Sequence, residues 1–495
     1  MVLYQDILSQ VFECTLNDSR VDLLERIFTL HSCILVNRTW CTSGYQILWR
    51  EPFTLLSKLR CVQGRHTSLT STYLKCLPED VKFQFIESRA GGLISLNSPA
   101  FDYSKALKKF SYVDFQHSIF HWINTHISSD ISNLIFDQEF VSGILIKHLM
   151  QHTKLKHLCF IQVSSECAFE EFLPHMNYTD ITRLPGAVNF FESLTSLASL
   201  KILSTSLLNG IAGICHSIDT LCIDCDETND EGWATLINAQ SNLINLKITA
   251  RNTNHPLIRR ALRNKVNTLI SLSLVPIYTS MDTFLNCIQL RELEIEETSE
   301  YATNTGLFQF FHSTFPKLES LSVKILSVSY LFHYLTTFIR NHCGSLRVLK
   351  VTCVQGYLQV KREYLDSYSA IIVGSCTNLL EYTGPLSITK IPLLFRQCNR
   401  LFRVNLLSNE FLSISICEEL EQIGDLLPRN LAQIKIPSEF KFTTDALRRF
   451  LQSCEKRSVR DLEFDVSRYS SELQIILDRY KMKGVLNKKW AKKTW

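Results

Sequence analysis

The amino-acid sequence predicts an α/β solenoid, with parallel strands on a concave face and helices on a convex face. A short pattern of leucine, two variable residues, leucine, one variable residue and a further apolar residue recurs twelve times between Leu155 and Phe464. Its copies begin 21 to 42 residues apart, mostly near the roughly 20 to 29 residues of one strand-and-helix unit. The length of 495 residues also exceeds the roughly 100 to 200 of one typical domain. An array of repeats accounts for both observations.

The pattern assigns each repeat residue to a face of its strand. The copies begin at Leu155, Leu197, Ile218, Leu243, Leu269, Leu290, Leu318, Leu346, Leu379, Leu401, Leu431 and Val459. We number the places of each copy from this first residue. Alternate side chains of a strand point to opposite faces, so the fourth and sixth places face the core and the third, fifth and seventh face outward. Only the copy at Leu379 departs from this apolar pattern, because Tyr382 and Gly384 occupy its core places. Leu331, Tyr334, Leu335 and Phe338 predict a helix between two strands.

Five cysteines share one position, three residues before a copy begins: Cys215, Cys287, Cys343, Cys376 and Cys398. Buried free cysteine behaves as a small apolar group, so these five belong to the repeat rather than to a reactive site. The chain holds seventeen cysteines and begins with acidic residues where a signal peptide carries basic ones. We therefore expect reduced thiols and a cytoplasmic or nuclear location, or both.

This arrangement resembles the cysteine-containing, RNI-like leucine-rich repeat, and the resemblance covers residues 151–470. It departs at the ninth place, where asparagine or cysteine is usual and only Asn409 complies. The resemblance therefore implies a leucine-rich-repeat solenoid whose repeats are irregularly stacked. The long interval from Leu155 to Leu197 contains Pro174 and the Pro185-Gly186 pair, so we expect either a loop-bearing insertion or an unrecognised copy there.

Residues 1–55 carry no repeat and are predicted to form short helices. Their apolar stripes consist of Ile7, Leu8, Val11 and Phe12, and of Leu23, Leu24, Ile27 and Phe28. The segment that follows resembles the second half of an F-box, with Val36, Trp40 and the closing Leu48-Trp49 pair. The first half departs from that family, because Tyr4 stands where its proline is usual. A three-helix module that caps the repeats is the alternative interpretation.

The F-box resemblance implies a substrate receptor of an SCF-type ubiquitin ligase. The box then binds a Skp-family adaptor and, through it, a cullin, while the repeats hold an unidentified target protein. Adaptor contacts are expected at Leu3, Ile7, Val11, Leu35, Val36 and Trp40, although internal packing is the alternative for several of them. The chain itself is then not an enzyme. The competing hypothesis is a free-standing repeat scaffold that recruits no ligase.

The remaining segments are a connecting region and a tail. Residues 56–150 are expected to be mostly helical, with one or two divergent repeats possible, and Tyr103, Leu107 and Phe110 are predicted on the inner face of a helix. Residues 471–495 are predicted as a C-terminal helix and a basic tail with six lysines and no acid in the last fifteen residues. Such a tail is either an import or phosphate-binding patch or a solvated end.

No constellation of residues predicts catalysis, a metal or a cofactor. Cys222 and Cys225 form a Cys-x-x-Cys pair, but they fall on a predicted strand beside the core places of Leu221 and Ile223, and no second pair completes a zinc site. The histidines, including His148, His152 and His157, are scattered without a protease motif. A net charge of only +4 and the absence of a long apolar run give no reason to expect a nucleic-acid or membrane partner.

Charged residues at outward places define a candidate groove for a protein substrate. An acidic row is expected from Glu292, Glu294 and Glu296, and lysines occupy the fifth place of other copies at Lys201, Lys247, Lys350 and Lys435. Such a charge pattern can select a partner of complementary charge. The alternative is that exposed strand faces simply require polar side chains.

Overall fold

The computed structural model describes most of the chain. The described residues are 2–18, 21–58, 63–87, 97–126, 131–160, 181–199, 203–225, 229–250, 255–275, 281–296, 305–325, 331–353, 360–408, 414–437, 439–457, 461–464 and 471–483. The chain divides into two compact units. The first unit comprises Met1–Leu243 with Pro256–Ala261, and the second comprises Ile244–His255 with Leu262–Trp495.

The first unit begins with helices and continues into parallel strands. Its helices are α1 (Val2–Asn17), α2 (Leu23–Ile34), α3 (Arg38–Leu48), α4 (Pro52–Lys58), α5 (Gln63–Lys75), α6 (Glu79–Glu87), α7 (Tyr103–Ala106), α8 (Tyr112–His126), α9 (Ile131–His152), α10 (Ala187–Phe191), α11 (Thr205–Ile214), α12 (Asp230–Ala239) and the greater part of α13 (Pro256–Arg263). Its strands are β1 (Lys109–Ser111), β2 (His157–Phe160), β3 (Ser196–Ser199) and β4 (Thr220–Cys225).

Helices α1, α2 and α3, which we call the three-helix domain, pack around a core of their own. Leu8, Phe12, Leu16, Leu30 and Ile47 are buried in it. Side-chain caps begin two of the helices, since Asp22 accepts the N–H of Leu24 and Asn37 accepts that of Trp40. Any side chain at Gly44 would overlap the Ile34 methyl, so α3 approaches α2 closely only because residue 44 is glycine.

The four strands of the first unit pair in parallel and in register. Phe110, Leu158, Leu197 and Leu221 lie side by side at the equivalent of the fourth place. The predicted start at Leu197 is therefore wrong by three residues, and the copy begins at the buried Leu194. The prediction of a helix at Phe110 is also wrong, because β1 forms one more repeat-like turn whose first place is the buried Leu107.

The second unit alternates strands and helices. Its helices are α14 (Thr305–His312), α15 (Leu331–His342), α16 (Arg362–Ser375), α17 (Ile391–Gln397), α18 (Cys417–Leu426), α19 (Thr444–Arg457) and α20 (Ser471–Met482). Its strands are β5 (Asn245–Ala250), β6 (Ser271–Val275), β7 (Glu292–Glu296), β8 (Ser320–Ile325), β9 (Val348–Cys353), β10 (Glu381–Pro385), β11 (Arg403–Leu407), β12 (Ile414–Ser415), β13 (Gln433–Ile436), β14 (Phe440–Lys441) and β15 (Asp461–Phe464). Strands β12 and β14 pair separately with each other.

The parallel ladder of the second unit has the faces that the repeat pattern predicts. In β8, Leu321, Val323 and Ile325 are buried, while the alternate residues are only half-buried. Leu321 pairs with Leu293 on one side and Leu349 on the other, so equal places of successive copies are stacked. Helices of successive copies, such as α15 and α16, pack against each other. The predicted α/β leucine-rich-repeat solenoid is confirmed.

The copy at Leu379 accommodates its unusual core residues through one aromatic side chain. Tyr382 is completely buried at the fourth place, and its hydroxyl donates to the carbonyl of Pro385 at 2.8 Å. A Cβ atom at Gly384 would lie 3.0 Å from that hydroxyl oxygen and 3.3 Å from the hydroxyl of Tyr368. Glycine at the sixth place therefore leaves room for the two tyrosine hydroxyls.

At two copies, the cysteine three residues before the start links the copy to the preceding one. Cys398 Sγ donates to the carbonyl of Cys376 at 3.2 Å, and Cys215 Sγ donates to that of Phe191 at 3.1 Å. Phe191 precedes Leu194 by three residues, which agrees with the corrected start of its copy. Burial raises the pKa of the Cys215 thiol to about 12 and that of Cys398 to about 11, so both stay protonated near neutral pH.

Asn409, Pro174 and the basic tail beyond Lys483 lie outside the described residues. Within the described part of the chain, every helix is too short or too polar to cross a membrane.

Candidate functional site

The three-helix domain joins the strands through backbone hydrogen bonds. The carbonyl of Arg50 accepts the N–H groups of both Lys108 and Lys109, each at 2.9 Å. The same pair of hydrogen bonds to one carbonyl recurs at the next strand, where the carbonyl of Lys108 accepts the N–H groups of Lys156 and His157 at 2.9 and 3.0 Å. Arg50 therefore occupies the position that the second place of a preceding repeat would occupy.

Side chains reinforce this junction. Lys109 Nζ lies 2.8 Å from Glu51 Oε2, and Arg50 Nη1 lies 3.0 Å from Glu13 Oε1 on α1. The ring of Trp49 packs on that of Tyr103 with centroids 4.0 Å apart. Leu48 packs against the core of the three-helix domain, whereas Trp49 contacts α7, the helix that precedes the first strand.

The surface of the three-helix domain carries exposed apolar side chains. The exposed fractions are 51% for Ile7, 51% for Val11, 71% for Leu35 and 61% for Val36. Ile7 and Val11 are one turn apart on α1, while Leu35 and Val36 directly follow the end of α2. Four of the six expected adaptor contacts are therefore available to a partner. Isolated exposed apolar residues are ordinary, whereas a contiguous apolar patch is typical of interaction sites.

The other two expected adaptor contacts, Trp40 and Leu3, are not shown to be exposed. Trp40 is half-buried against the core of the three-helix domain, and its ring meets the edge of Phe12 with centroids 5.5 Å apart. The internal-packing alternative therefore applies to Trp40. The side chain of Leu3 lies outside the described residues. The sequence predicted Phe28 only as part of an apolar stripe, yet 53% of it is exposed.

The outward faces of the strands in the second unit form the other candidate surface. Glu292 is exposed and Glu294 and Glu296 are half-buried, all on β7. Lys324 on the next strand reaches across to Glu296 Oε2 at 2.9 Å, and this hydrogen bond raises the pKa of Lys324. Ser273 on the preceding strand donates to Glu294 Oε2 at 2.9 Å. The acidic row is thus partly neutralised by its neighbours.

A second group of charges lies further along the same ladder. Glu381 receives Lys350 Nζ at 3.4 Å and Arg403 Nη1 at 3.0 Å from the strands on either side. Lys247 and Lys435 also lie at fifth places, where both are half-buried. The two ion pairs of Glu381 connect three neighbouring strands on their outward face. Lys350 and Arg403 remain partly exposed, so they can also contact a bound molecule.

Lys201 lies outside the described residues. The register of β3 places Ala198 beside Cys159 and Cys222, so Ala198, not Lys201, takes the fifth place of its copy. The prediction of Lys201 at a fifth place is wrong.

The Cys-x-x-Cys pair lies on β4, with Ile223 buried and Cys222 half-buried. The side chain of Cys225 lies outside the described part of the structure.

Similarity to known proteins is found among solved structures. No family model matches the sequence, and no curated protein matches it. Among solved structures, a leucine-rich repeat-containing protein of Legionella pneumophila is similar at 14% identity and a TM-score of 0.32, covering 54% of this chain and 93% of its own. A leucine-rich repeat protein of Leptospira interrogans is similar at 14% identity and a TM-score of 0.33, covering 69% and 91%. The strands and register of the chain itself define the fold as a leucine-rich-repeat solenoid.

Proposed function

We propose that this chain is a non-catalytic receptor in which the three-helix domain binds a Skp-family adaptor and the outward strand faces bind a target protein. In this role it serves as the substrate-recognition subunit of an SCF-type ubiquitin ligase, and a cullin is reached through the adaptor. One observation carries the proposal. Ile7, Val11, Leu35 and Val36, which the F-box resemblance selects as adaptor contacts, are all exposed.

Internal packing does not account for these four side chains. A capping module needs apolar residues toward its own core and toward the rest of the chain. Leu8, Phe12 and Leu30 serve the first purpose, and Trp49 contacts Tyr103 on α7. More than half of each of the four candidate side chains remains in contact with water, and a partner that covered them would remove this apolar surface from water. An apolar adaptor groove is the kind of partner that this surface fits.

The Arg50 junction supports the same proposal. It attaches the three-helix domain to the strand ladder through two backbone hydrogen bonds and the Lys109–Glu51 ion pair. A direct attachment of this kind holds the three-helix domain against the first strand more firmly than a long flexible linker would. For the target itself, the charged strand faces favour a polar protein surface over an apolar peptide.

Capture of a purified Skp-family adaptor by the full chain tests the proposal. We expect the intact chain to retain the adaptor and Val36→Asp to weaken binding by more than tenfold, because an interface anchor typically contributes about 2 kcal/mol or more. Val188→Asp is the matched control, since Val188 on α10 is 63% exposed and Val36 is 61% exposed. Both substitutions add the same charge at a similarly exposed valine.

Two results would overturn the ligase role. One is failure of the intact chain to retain any adaptor, and the other is equal binding by Val36→Asp and Val188→Asp. Circular dichroism of each variant verifies that the helices have formed. If the adaptor does not bind, the chain is better described as a free-standing repeat scaffold that recruits no ligase.

A further inference from the structure

Second-place residues of the first unit form a continuous row just before its strands. Each carbonyl of the row accepts the N–H group of the next member, and the members are Arg50, Lys108, Lys156, Thr195 and Asp219. The first three are basic, and we call Arg50, Lys108 and Lys156 the basic row. These residues precede the outward places of the strands, and the proposed function assigns no role to them.

The backbone places two of these lysines side by side. The N–H of Lys156 donates to the carbonyl of Lys108 at 2.9 Å, and neighbouring strands are about 4.8 Å apart. A third lysine, Lys154, is paired with Glu192 at 2.8 Å. Like charges directly opposite each other on neighbouring strands are destabilising. In agreement with this crowding, burial, followed by the proximity of Lys156 and Lys154, lowers the pKa of Lys108.

Acidic side chains neutralise only part of the basic row. Arg50 Nη1 lies 3.0 Å from Glu13 Oε1. Among the residues that the structure describes, neither Lys108 nor Lys156 forms an ion pair. The acidic member of the same row, Asp219, is separated from Lys156 by one intervening strand and accepts a hydrogen bond from the hydroxyl of the adjacent Thr220 at 2.8 Å. The positive charge of the two lysines therefore remains available.

Second places of the second unit show a different arrangement. The carbonyl of Arg291 accepts the N–H of Glu319, and the carbonyl of Glu319 accepts that of Arg347, so these three residues are consecutive members of a row. Arg291 Nη1 lies 3.7 Å from Glu319 Oε1, and Arg347 Nη1 lies 4.0 Å from Glu319 Oε2. Alternating charges thus allow a row of second places to neutralise itself, whereas three consecutive basic residues do not.

We propose that the basic row, together with Lys154, binds an acidic segment of a partner protein, whose aspartate or glutamate carboxylates pair with Lys108 and Lys156. Lys154 and Lys156 are exposed and Lys108 is half-buried, so a partner can reach this surface. A carboxylate accepts hydrogen bonds from more than one ammonium group, and two adjacent lysines can therefore share one. Complementary charge selects such a partner and excludes basic ones.

Nucleic acid fits this surface less well than an acidic protein segment. Its affinity depends on many phosphate contacts made by lysine and arginine side chains. Only four basic residues are grouped here, and two of them, Arg50 and Lys154, already pair with Glu13 and Glu192. A few carboxylates on a short segment match this limited positive charge.

Fluorescence anisotropy with the full chain tests the proposal. The probe is a short labelled peptide of alternating glutamate and glycine, and a single-stranded oligonucleotide of equal length is the comparison. We expect saturable binding of the peptide that weakens as salt is raised, because exposed ion pairs are screened. The oligonucleotide should bind more weakly. Lys156→Glu should weaken peptide binding by about fivefold or more, since it removes an exposed ion pair and adds a repulsion.

The second unit offers a matched control in Arg347→Glu. This substitution makes the same change of charge at a second place, but beside Glu319. We expect peptide affinity to stay unchanged in this variant. The two variants should also shift the unfolding temperature in opposite directions. Lys156→Glu places opposite charges side by side and should raise it, while Arg347→Glu places two glutamates side by side and should lower it.

Three results would overturn the proposal. The intact chain shows no saturable binding of the acidic peptide, a folded Lys156→Glu variant binds the peptide as the intact chain does, or the oligonucleotide binds more tightly than the peptide. The last result would identify the basic row as a nucleic-acid site instead. The proposal does not rest on adaptor binding, so none of these results bears on the capture of a Skp-family adaptor by the three-helix domain.

Discussion

The backbone carbonyl of Arg50 accepts the N–H of Lys109 at 2.9 Å, and so joins the end of the three-helix domain to the first strand. Within the array, carbonyls of second-place residues bond to the next copy in the same manner. The first strand therefore has a hydrogen-bonded neighbour on this side, although no strand precedes it among the residues that the structure describes. This protects an edge that would otherwise expose unpaired backbone groups.

Removing that donor should destabilise the first unit. Lys109→Pro deletes one of the two N–H groups on the Arg50 carbonyl, and its ring also restricts the backbone of Lys108, so we expect the free energy of unfolding to fall by about 1–3 kcal/mol. Lys109→Ala is the control, since it removes only the partly exposed ion pair with Glu51 and should change stability by less than about 1 kcal/mol. Urea unfolding measures both. Equal effects of the two substitutions would contradict the role assigned to the backbone bond.

Gly44→Ala should destabilise the three-helix domain. The added methyl group overlaps the Ile34 side chain, so α2 and α3 must separate, at a cost of about 1–3 kcal/mol. Gly143→Ala provides the comparison, because a Cβ atom there meets nothing within 4 Å and alanine favours the helix. Thermal unfolding should show a lower midpoint for the first variant and an equal or higher one for the second. An unchanged midpoint for Gly44→Ala would mean that the helices can separate freely.

Thiol labelling should distinguish repeat cysteines from surface ones. Burial raises the pKa of Cys215 and of Cys287 to about 12, so neither supplies thiolate to an alkylating reagent near pH 8. Cys14 is exposed and should react first. Mass spectrometry after brief alkylation of the native chain measures the order of reaction. Labelling of Cys215 as fast as Cys14 would be incompatible with a buried structural thiol.

Acidification should destabilise the chain through His148. Burial, and secondarily His152, lowers the folded-state pKa of His148 to about 4, below its ordinary value of 6.5. The unfolded state therefore binds the proton first, and stability falls as pH drops from about 6.5 toward 4, by at most about 3 kcal/mol for this group. Unfolding in urea between pH 7.5 and 4.5 should show a shallower decline for His148→Gln. An equal decline of the free energy of unfolding in the two proteins would exclude His148 as a source of the acid sensitivity.

The repeat pattern predicted the solenoid because stacked apolar places recur, but it selected the wrong start for one copy. A start at Leu197 has Ile202 at the sixth place, whereas the true start at Leu194 has Ser199 there and so does not match the pattern. Only the pairing of Leu197 with Leu158 and Leu221 reveals the correct start. The strand at Phe110 was missed because it has only three residues and lies between two helices.

The candidate sites were predictable to different degrees. Exposure of Ile7 and Val11 depends on which half of an apolar helix stripe turns away from Leu8 and Phe12, and spacing alone does not reveal that. Charged outward places followed directly from the strand period, except where the start of the copy was misassigned.

The Arg50 junction depends on a carbonyl group that every amino acid possesses. The identity of residue 50 therefore matters less than the number of residues between the last turn of α3 and the first turn of α4. A single inserted residue between Leu48 and Pro52 would rotate that carbonyl away from Lys108 and Lys109, whereas many substitutions would leave it in place. The spacing of the chain, more than its chemistry, determines how this protein joins its helices to its strands.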